Sequence, residues 1–473
     1  MLFNSIEFLI FFPIVTLLFY LLPHKWRWLM LLGASCFFYM WFIPKYILIL
    51  LITILIDYSA GILIYQWKDQ PRKKKSCLIV SIISTCAVLF IFKYLNFCSA
   101  NLVALAQHFG WAHPQRVLHI ALPIGLSFHT FQSLSYVIEV YRGNQKAERH
   151  FGYYALYVMF YPQLVTGPIE RPQNLLTQLH REKKLQYDNL ANGLRLILFG
   201  LFLKMVVADN LGAYVDQIYA DPHAFSSGDI LLGMVFYSFQ IYGDFFGYSS
   251  IALGCALAMG FTLIDNFKAP YLADSIQEFW RRWHISLSSW FRDYLYIPLG
   301  GNRVSVPRWI LNTLIVFTVC GIWHGANWTF MIWGFAYGVL LCLERPLRKL
   351  RRSERIHGKA GKAMFKGLNI LITFVIVTLL WSVFRAPSFD NLHQLFSALY
   401  HNLFMPMQLQ VSTVVWVALG AFILLDLLIR QNRFDVWCSQ KSGIVRWTVY
   451  ALMLFAIIVF SSVQQYPFIY FQF

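Results

Sequence analysis

The stretch Y46ILILLITILIDYSAGILIYQ66 decides the fold class of this chain. Asp57 is its only acidic or basic side chain, and every other position suits a lipid or protein interior. A helix of about 20 apolar residues crosses the hydrocarbon core of a bilayer. The basic run K68DQPRKKK75 follows almost at once. This pattern predicts a transmembrane helix that ends at a basic loop.

Working outward from residues 46–66, similar apolar runs recur along the whole chain. The predicted spans are 6–22, 28–43, 46–66, 77–97, 118–141, 189–208, 229–261, 308–325, 328–343, 367–385, 412–429 and 447–465. The predicted fold class is therefore an all-α polytopic membrane protein with about 11–12 transmembrane helices. We expect residues 1–473 to form a single membrane domain.

The composition excludes two broad classes of protein. The 473 residues are 58% hydrophobic and 13% charged, whereas an ordinary soluble domain is roughly 25% charged. A soluble enzyme could not bury that much apolar surface, and disordered chains are poor in apolar residues. The eight cysteines form no CxxC pair. They are interpreted as buried small hydrophobes, and no disulfide framework or metal site is predicted.

The net charge of +17 admits two interpretations. Nucleic-acid binding is disfavoured because no basic stretch belongs to a soluble domain. Most basic residues instead occupy alternate connections between spans, while residues 205–267 and 386–411 contain no lysine or arginine. The positive-inside rule places the basic loops in the cytoplasm, facing membrane lipid, and both termini outside it. The first apolar run has no basic segment before it and is expected to stay in place as a helix, not to be removed as a signal peptide.

Three stretches do not fit plain membrane crossings. Residues 151–176 are apolar but interrupted by proline and glycine, so a re-entrant segment is predicted. Residues 271–306 mix tryptophan and phenylalanine with arginine, which favours helices in the inner interface. Residues 308–343 are short for two spans, so either the helices are short or the pair turns inside the bilayer at GIWHGAN, residues 321–327. Residues 345–366 form a basic cytoplasmic loop.

His324 lies in C320GIWHGANW328, between two glycines and two tryptophans. An imidazole at membrane depth is costly unless it has a partner or faces a cavity. Its pKa suits it to accept a proton from a hydroxyl group, which makes it a candidate general base. The alternative is a core histidine bonded to a backbone carbonyl.

His284 lies in E278FWRRWHISLSSWFRD293. The guanidinium groups of Arg281, Arg282 and Arg292 could hold a phosphate-bearing group at the inner face. The alternative is interfacial anchoring, because tryptophan and arginine are common at that depth in any case.

Several charged residues fall within the predicted spans. Lys93, Lys204 and Arg385 lie near span ends, where snorkelling explains them most simply. Asp244 lies in the glycine-interrupted patch Q240IYGDFFGYSS250 and is expected to face a polar interior.

The chain carries no P-loop, GxGxxG, HExxH or GxSxG motif. Nucleotide hydrolysis, dinucleotide chemistry, zinc proteolysis and an α/β-hydrolase site are therefore disfavoured.

Five collinear segments together resemble the membrane-bound O-acyltransferase family, and most closely the bacterial branch with the alginate O-acetyltransferase membrane subunit. They are L122PIGLSFHTFQSLSYVIEVYR142, F160YPQLVTGPIER171, residues 266–303, G321IWHGANW328 and P467FIYFQF473. One departure is visible: the branch usually reads like DFSGYSD, whereas this chain has D244FFGYSS250, with Phe246 and Ser250 in place of two polar residues.

The resemblance implies a function and roles for individual residues. It implies helices around a central tunnel and transfer of an acyl group, most simply acetyl, from a cytoplasmic thioester such as acetyl-CoA. No bound cofactor is implied. His324 matches the catalytic histidine and His284 the second signature position, which is histidine or asparagine in the family. The candidate substrate- and donor-binding residues are Arg281, Arg282, Trp283, Asn327 and Asp244.

The resemblance also implies partners and a location. The acceptor would be a polysaccharide outside the cytoplasm, reached through an extracytoplasmic acetyltransferase partner, and the chain would lie in a bacterial cytoplasmic membrane. Three alternatives remain: a D-alanyl or other acyl relay for teichoic acid, a transporter or flippase, and a scaffold that does not depend on His324. No paired inverted repeat of the kind common in transporters is evident.

Overall fold

The computed structural model describes residues 1–111, 123–165, 167–350, 359–461 and 468–469. Within these ranges all regular secondary structure is helical. The predicted loop at 345–366 was wrong at both ends, because residues 345–350 belong to the helix Trp328–Leu350 and residues 359–366 to the helix Lys359–Arg385. Its residues 351–358 lie outside the described residues, as does the segment 467–473 except for residues 468–469.

In the part of the chain that the structure describes, eight helices are long and apolar enough to cross a membrane: Pro44–Gln66, Pro71–Lys93, Tyr187–Ala220, Ser227–Ala258, Val306–His324, Trp328–Leu347, Ala360–Arg385 and Gly443–Phe460. Ile6–Leu21 and Thr413–Leu428 are shorter apolar helices. The predicted spans 28–43 and 118–141 correspond to helices His24–Met40 and Leu126–Arg142 of 17 residues each; residues 118–122 lie outside the described ranges. The prediction of an all-α polytopic membrane protein is confirmed.

The chain forms two compact units. Unit 1 comprises residues 1–197 and 251–264, and unit 2 comprises residues 198–250 and 265–473. The helices up to residue 201 are α1 (Ile6–Leu21), α2 (His24–Met40), α3 (Ile47–Gln66), α4 (Pro71–Lys93), α5 (Leu95–His108), α6 (Leu126–Arg142), α7 (Phe151–Met159), α8 (Tyr161–Leu164), α9 (Pro172–Leu179) and α10 (Tyr187–Leu201).

Unit 1 buries the one acidic residue of the stretch that decided the fold class. Asp57 on α3 is fully buried, and it accepts hydrogen bonds from the hydroxyl groups of Ser81 (2.6 Å) and Thr85 (2.9 Å) on α4. A carboxyl group in the middle of an apolar span is tolerated because neighbouring helices supply hydrogen-bond donors.

The proline-interrupted segment 151–176 is a broken helix inside unit 1. The helices α7, α8 and α9 are separated at Phe160 and around residues 165–171. Side chains satisfy the interrupted backbone: the Tyr157 hydroxyl donates to the Glu170 carbonyl oxygen (3.0 Å), and the Gln163 amide donates to the Tyr157 carbonyl oxygen (2.7 Å). This is the condition under which irregular backbone is stable at membrane depth; the re-entrant path itself stays a prediction.

The remaining helices begin with a π-helical stretch at Phe202–Ala208. They are α11 (Asp209–Ala220), α12 (Ser227–Ala258), α13 (Ile276–Arg282), α14 (Ile285–Phe291), α15 (Val306–His324), α16 (Trp328–Leu350), α17 (Lys359–Arg385), α18 (Phe389–His401), α19 (Thr413–Leu428), α20 (Phe434–Ser439) and α21 (Gly443–Phe460).

The α15–α16 hairpin positions the main candidate residue in unit 2. Its two helices cross with their backbones nearly in contact at Gly321 and Gly334: a Cβ atom on Gly321 would lie 2.2 Å from the Phe330 carbonyl oxygen, and one on Gly334 2.2 Å from the Phe317 carbonyl oxygen. Small residues permit this close approach between membrane helices. Helices α15 and α16 contain 19 and 23 residues, so neither is short. The turn between them falls at residues 325–327, within the segment 321–327 that was predicted to form it.

Residues 271–306 form short helices, as the aromatic and basic mixture suggested. Ser275 caps α13 by accepting from the backbone N–H of Glu278, in a serine-x-x-glutamate sequence typical of helix starts. Trp280, Trp283 and Trp290 are all buried within the protein. Lipid anchoring therefore does not explain these three tryptophans, whereas the interfacial position of the segment stays a prediction.

Candidate active site

His324 is the last residue of α15, and 4% of its surface is exposed. Its ring is surrounded by aromatic side chains, with centroid distances of 5.0 Å to Trp323, 5.2 Å to Trp333 and 5.3 Å to Phe384. Three helices or helix ends therefore supply the walls around the predicted general base. Phe384 belongs to the last turn of α17.

His284 is fully buried and has an unusual backbone conformation. Its φ of 43° and ψ of 57° lie in the left-handed region, which non-glycine residues adopt at a cost and mainly where the surroundings impose it. Asn266 imposes it here: its carbonyl oxygen accepts from Ile285 N–H (3.0 Å), and its side-chain Oδ1 accepts from Ser286 N–H (3.2 Å). Such strain is concentrated at functional sites.

The two histidines share one aromatic neighbour. The centroid of the Trp323 ring lies 5.0 Å from that of His324 and 6.2 Å from that of His284. On another side of His284, the ring of Phe245 on α12 makes an edge contact at 4.6 Å. Residues forty positions apart in the chain are thus brought to one aromatic cluster in unit 2.

The protonation state of His284 follows from its surroundings. Burial lowers the pKa of His284 to about 3, because a charged imidazolium is poorly solvated there. At neutral pH its ring is uncharged and presents one N–H donor and one acceptor nitrogen. A neutral histidine can donate a hydrogen bond to a developing negative charge.

A cavity of 1010 Å³ lies next to this cluster in unit 2, at the upper end of the volume range of ligand pockets. Three arginines line it, namely Arg281, Arg292 and Arg345, and Glu344 is the one acidic residue of the lining. The cavity also reaches Cys320, which lies one helical turn before His324 on α15. Neither histidine belongs to the lining formed by the described residues.

The predicted donor-binding residues of α13 have different positions. Arg281 lines the cavity and is 65% exposed, with Glu278 3.6 Å away. Arg282 does not line it; its Nε donates to Glu278 Oε1 (2.8 Å), and its guanidinium also reaches the Ala269 carbonyl oxygen (3.4 Å). Trp283 is buried among aromatic rings, 4.9 Å from Trp381.

Asn327 closes the turn after His324. Its side-chain amide donates to the Pro387 carbonyl oxygen (2.5 Å), and its Oδ1 accepts from the N–H of Thr329 in α16 (3.2 Å). Pro387 also lines a second cavity of 150 Å³ that contains the ion pair of Arg385 with Asp216, at 2.8 Å. Since Arg385 follows Phe384, whose ring contacts His324, this small cavity lies close to the candidate base.

Asp244 lies in a buried ionic group and not on the lining of either cavity. Its Oδ1 is 2.8 Å from Lys204 Nζ, and Lys204 Nζ is also 2.7 Å from Asp209 Oδ1. The expectation that Lys204 snorkels was wrong, because its side chain is 1% exposed and its ammonium group points to two carboxylates inside the protein. Phe246, one of the two departures from the usual pattern, stacks on Tyr242 at 5.4 Å.

Two contributors to the site were not identified from the sequence. Asn266 holds the backbone of His284, and Phe245 packs on its ring. Both lie inside motifs that had been quoted, but nothing in their spacing indicates which residue they contact. In the described part of the chain, no three His, Cys, Asp or Glu side chains are close enough together to hold a metal ion.

Comparison with known proteins gives consistent results. Residues 36–382 match the membrane-bound O-acyltransferase (MBOAT) family. The chain is 38% identical to the probable alginate O-acetylase AlgI of Azotobacter vinelandii over 404 residues, which cover 85% of this chain and 78% of that protein. It is 37% identical to the peptidoglycan O-acetyltransferase of Helicobacter pylori over 391 residues, covering 77% and 71%. It is 27% identical to the teichoic acid D-alanyltransferase of Bacillus subtilis over 281 residues, covering 57% and 70%.

The match covers well over half of the chain and includes the segment that carries both histidines. Relatives at this level of identity share the family's chemistry, and the helices are those of a multi-pass membrane protein. The resemblance noted in the sequence is confirmed: the chain belongs to the membrane-bound O-acyltransferase family and is a membrane O-acyltransferase.

Proposed function

We propose that this enzyme moves an acyl group, most simply acetyl, from a cytoplasmic thioester such as acetyl-CoA to a hydroxyl group of an exported or cell-wall polysaccharide. The observation that carries the proposal is the 1010 Å³ cavity, whose lining includes three arginines and Cys320, one turn from His324. Guanidinium groups match phosphate oxygens in geometry and charge. A donor that carries phosphate groups fits this lining.

Each candidate residue has a defined role in the proposed reaction. The acceptor hydroxyl attacks the thioester carbonyl carbon, and His324 takes the hydroxyl proton as the new C–O bond forms. His284 donates its N–H, directly or through an oriented group, to the carbonyl oxygen as that atom gains negative charge. The C–S bond then breaks, and the proton on His324 passes to the leaving thiolate.

The acceptor side is proposed at the 150 Å³ cavity. Its lining includes Arg385, Asp216, Tyr219 and Asn391, whose side chains can hydrogen-bond to sugar hydroxyls. Residues 386–411 contain no lysine or arginine, which favours an extracytoplasmic position for this cavity. We propose that an extracytoplasmic partner protein delivers the group to the final polysaccharide, and that the membrane is a bacterial cytoplasmic membrane.

A second candidate is an acyl relay for teichoic acid, because one relative is named as a D-alanyltransferase. Its donor would be a carrier-protein thioester. Membranes containing the protein are incubated in parallel with radiolabelled acetyl-CoA and with a labelled D-alanyl carrier-protein thioester. In inverted vesicles, which expose the cytoplasmic face to the added donor, we expect label from acetyl-CoA to reach acceptor material in the vesicle lumen. Transfer from the carrier protein alone would select the second candidate, and no transfer from either donor would refute both.

Arg281→Ala is expected to raise the KM for acetyl-CoA about tenfold with little change in kcat, because the arginine contacts the donor and not the reacting atoms. The measurement is initial acetyl-transfer rate against acetyl-CoA concentration. Arg308→Ala is the matched control, since Arg308 is an exposed arginine at the start of α15 and is not among the residues that line the cavity. An unchanged KM in the Arg281 variant would leave Arg281 as a surface charge only.

A further inference from the structure

The buried group formed by Lys204, Asp209 and Asp244 has a role that the reaction does not explain directly. The three side chains are 1%, 4% and 3% exposed, and one ammonium group faces two carboxylates. Taking such charges out of water is costly, and replacing them with apolar residues often stabilises a protein. A buried ionic group of this kind is therefore expected to hold another part of the protein in place.

Lys204 lies within an irregular part of the backbone, and Asp209 follows it directly. Residues Phe202–Ala208 form a π-helical stretch between α10 and α11, a local widening that is frequent near functional sites. It precedes Asp209, the first residue of α11. Asp244 comes from α12, so the ionic group joins two long helices of unit 2.

Asp244 has a second contact, with a segment remote in sequence. Its Oδ2 accepts a hydrogen bond from the backbone N–H of Ile469 at 2.7 Å. The neighbouring Phe468 is fully buried, with its ring 4.7 Å from that of Tyr248 and 5.7 Å from that of Phe245. The carboxylate thus fixes the position of a phenylalanine that packs on α12.

The same phenylalanine leads to the candidate site. Phe245, on which Phe468 packs, makes the edge contact of 4.6 Å with the imidazole of His284. The order of contacts is Lys204 to Asp244, Asp244 to Ile469, Phe468 to Phe245, and Phe245 to His284. Each contact is between well-buried groups, so a displacement at one end has little room to be absorbed.

We infer that Lys204, Asp209 and Asp244 are positioning residues for acyl transfer, which hold residues 468–469 against Phe245 so that His284 keeps its productive orientation. This inference rests on the role proposed for His284. It assigns Asp244 to the support of the site, in place of the substrate contact predicted from the sequence. It also explains why charged groups persist where apolar packing would be more stable.

The test compares two substitutions at Asp244. Asp244→Ala removes the acceptor for Ile469 N–H and is expected to lower kcat about 10- to 100-fold, the effect of misplacing a reacting group by about 1 Å. The KM for acetyl-CoA should stay unchanged. Asp244→Asn keeps an acceptor oxygen at the same position and is expected to retain most of the kcat. Asp229→Ala is the matched control, because this buried aspartate of unit 2 also accepts backbone N–H groups, from Gln408 (3.0 Å) and Leu409 (3.3 Å), and does not belong to the candidate site described above.

A second pair of variants leaves the ionic group intact. Ile469→Pro removes the N–H donor and also fixes φ at residue 469 and restricts the backbone of Phe468. It should reproduce the loss of kcat in Asp244→Ala, whereas Ile469→Val should not. If size-exclusion chromatography shows that Asp244→Ala is misfolded, the two Ile469 variants test the inference in its place. A wild-type kcat in folded Ile469→Pro overturns the inference, as does an equal loss in Asp244→Asn and Asp244→Ala. Failure of the proposed function can be distinguished from failure of this inference, because in that case the wild-type protein itself would transfer no acetyl group from acetyl-CoA.

Discussion

Replacing His324 by alanine is expected to lower the rate of acyl transfer by about 10²- to 10⁴-fold, the usual contribution of a positioned general base. The imidazole lies at the end of α15, one turn beyond Cys320, which lines the large cavity. The measurement is the initial rate of label transfer from acetyl-CoA in membranes that contain equal amounts of each protein.

His401→Ala is the control for His324→Ala. His401 is an exposed histidine at the end of α18, so its loss should leave the rate unchanged. His324→Gln adds a second comparison, because glutamine keeps hydrogen-bonding atoms but its amide group cannot act as a base at neutral pH. It should be as inactive as the alanine variant. Wild-type activity in a folded His324→Ala protein would remove His324 from the mechanism.

The second large effect is expected at His284. Loss of one donor to a developing oxyanion typically costs about 10²- to 10³-fold in kcat. Because the backbone here has a φ of 43°, alanine would combine loss of the side chain with backbone strain. His284→Gly avoids this difficulty, since glycine adopts the left-handed region without a steric penalty. We expect the glycine variant to fold and to lose about 10²- to 10³-fold in kcat.

His284→Asn separates hydrogen bonding from proton transfer. Asparagine tolerates the left-handed region and has an N–H donor but does not titrate. It should therefore retain more activity than glycine. Its pH–rate profile between pH 5 and 8 should match that of the wild type, because a pKa of about 3 leaves His284 neutral throughout this range. Equal kcat values in the glycine variant and the wild type would reduce His284 to packing.

The membrane helices could be predicted because hydrophobicity over about 20 residues is a local property. Residues 46–66 and 367–385 show this: both correspond to long apolar helices. The turn after His324 was also predictable, since Gly325 and Asn327 interrupt the apolar pattern locally. The breaks in 151–176 followed from proline and glycine, which act on their own backbone.

The contacts that hold the candidate site in place could not be predicted from the local sequence. Lys204 has partners 5 and 40 positions away, and only the packing of α11 and α12 shows that they meet. Near a span end, a lysine that reaches the interface and a lysine in a buried ionic group have the same local sequence. The clamp of Asn266 on the backbone of His284 and the contact of Phe245 with its ring depend on tertiary structure for the same reason.

The ring of aromatic side chains around His324 has a consequence for the fate of the activated acyl group. Trp323, Trp333 and Phe384 present carbon surfaces and leave little room for solvent beside the imidazole. A base that removes a proton from a sugar hydroxyl could equally activate water, which would waste the thioester by hydrolysis. Exclusion of water from a closed site suppresses such side reactions. These three aromatic side chains would therefore set the ratio of acyl transfer to thioester hydrolysis. A smaller side chain in place of Trp333 would shift that ratio towards hydrolysis, which releases free acetate.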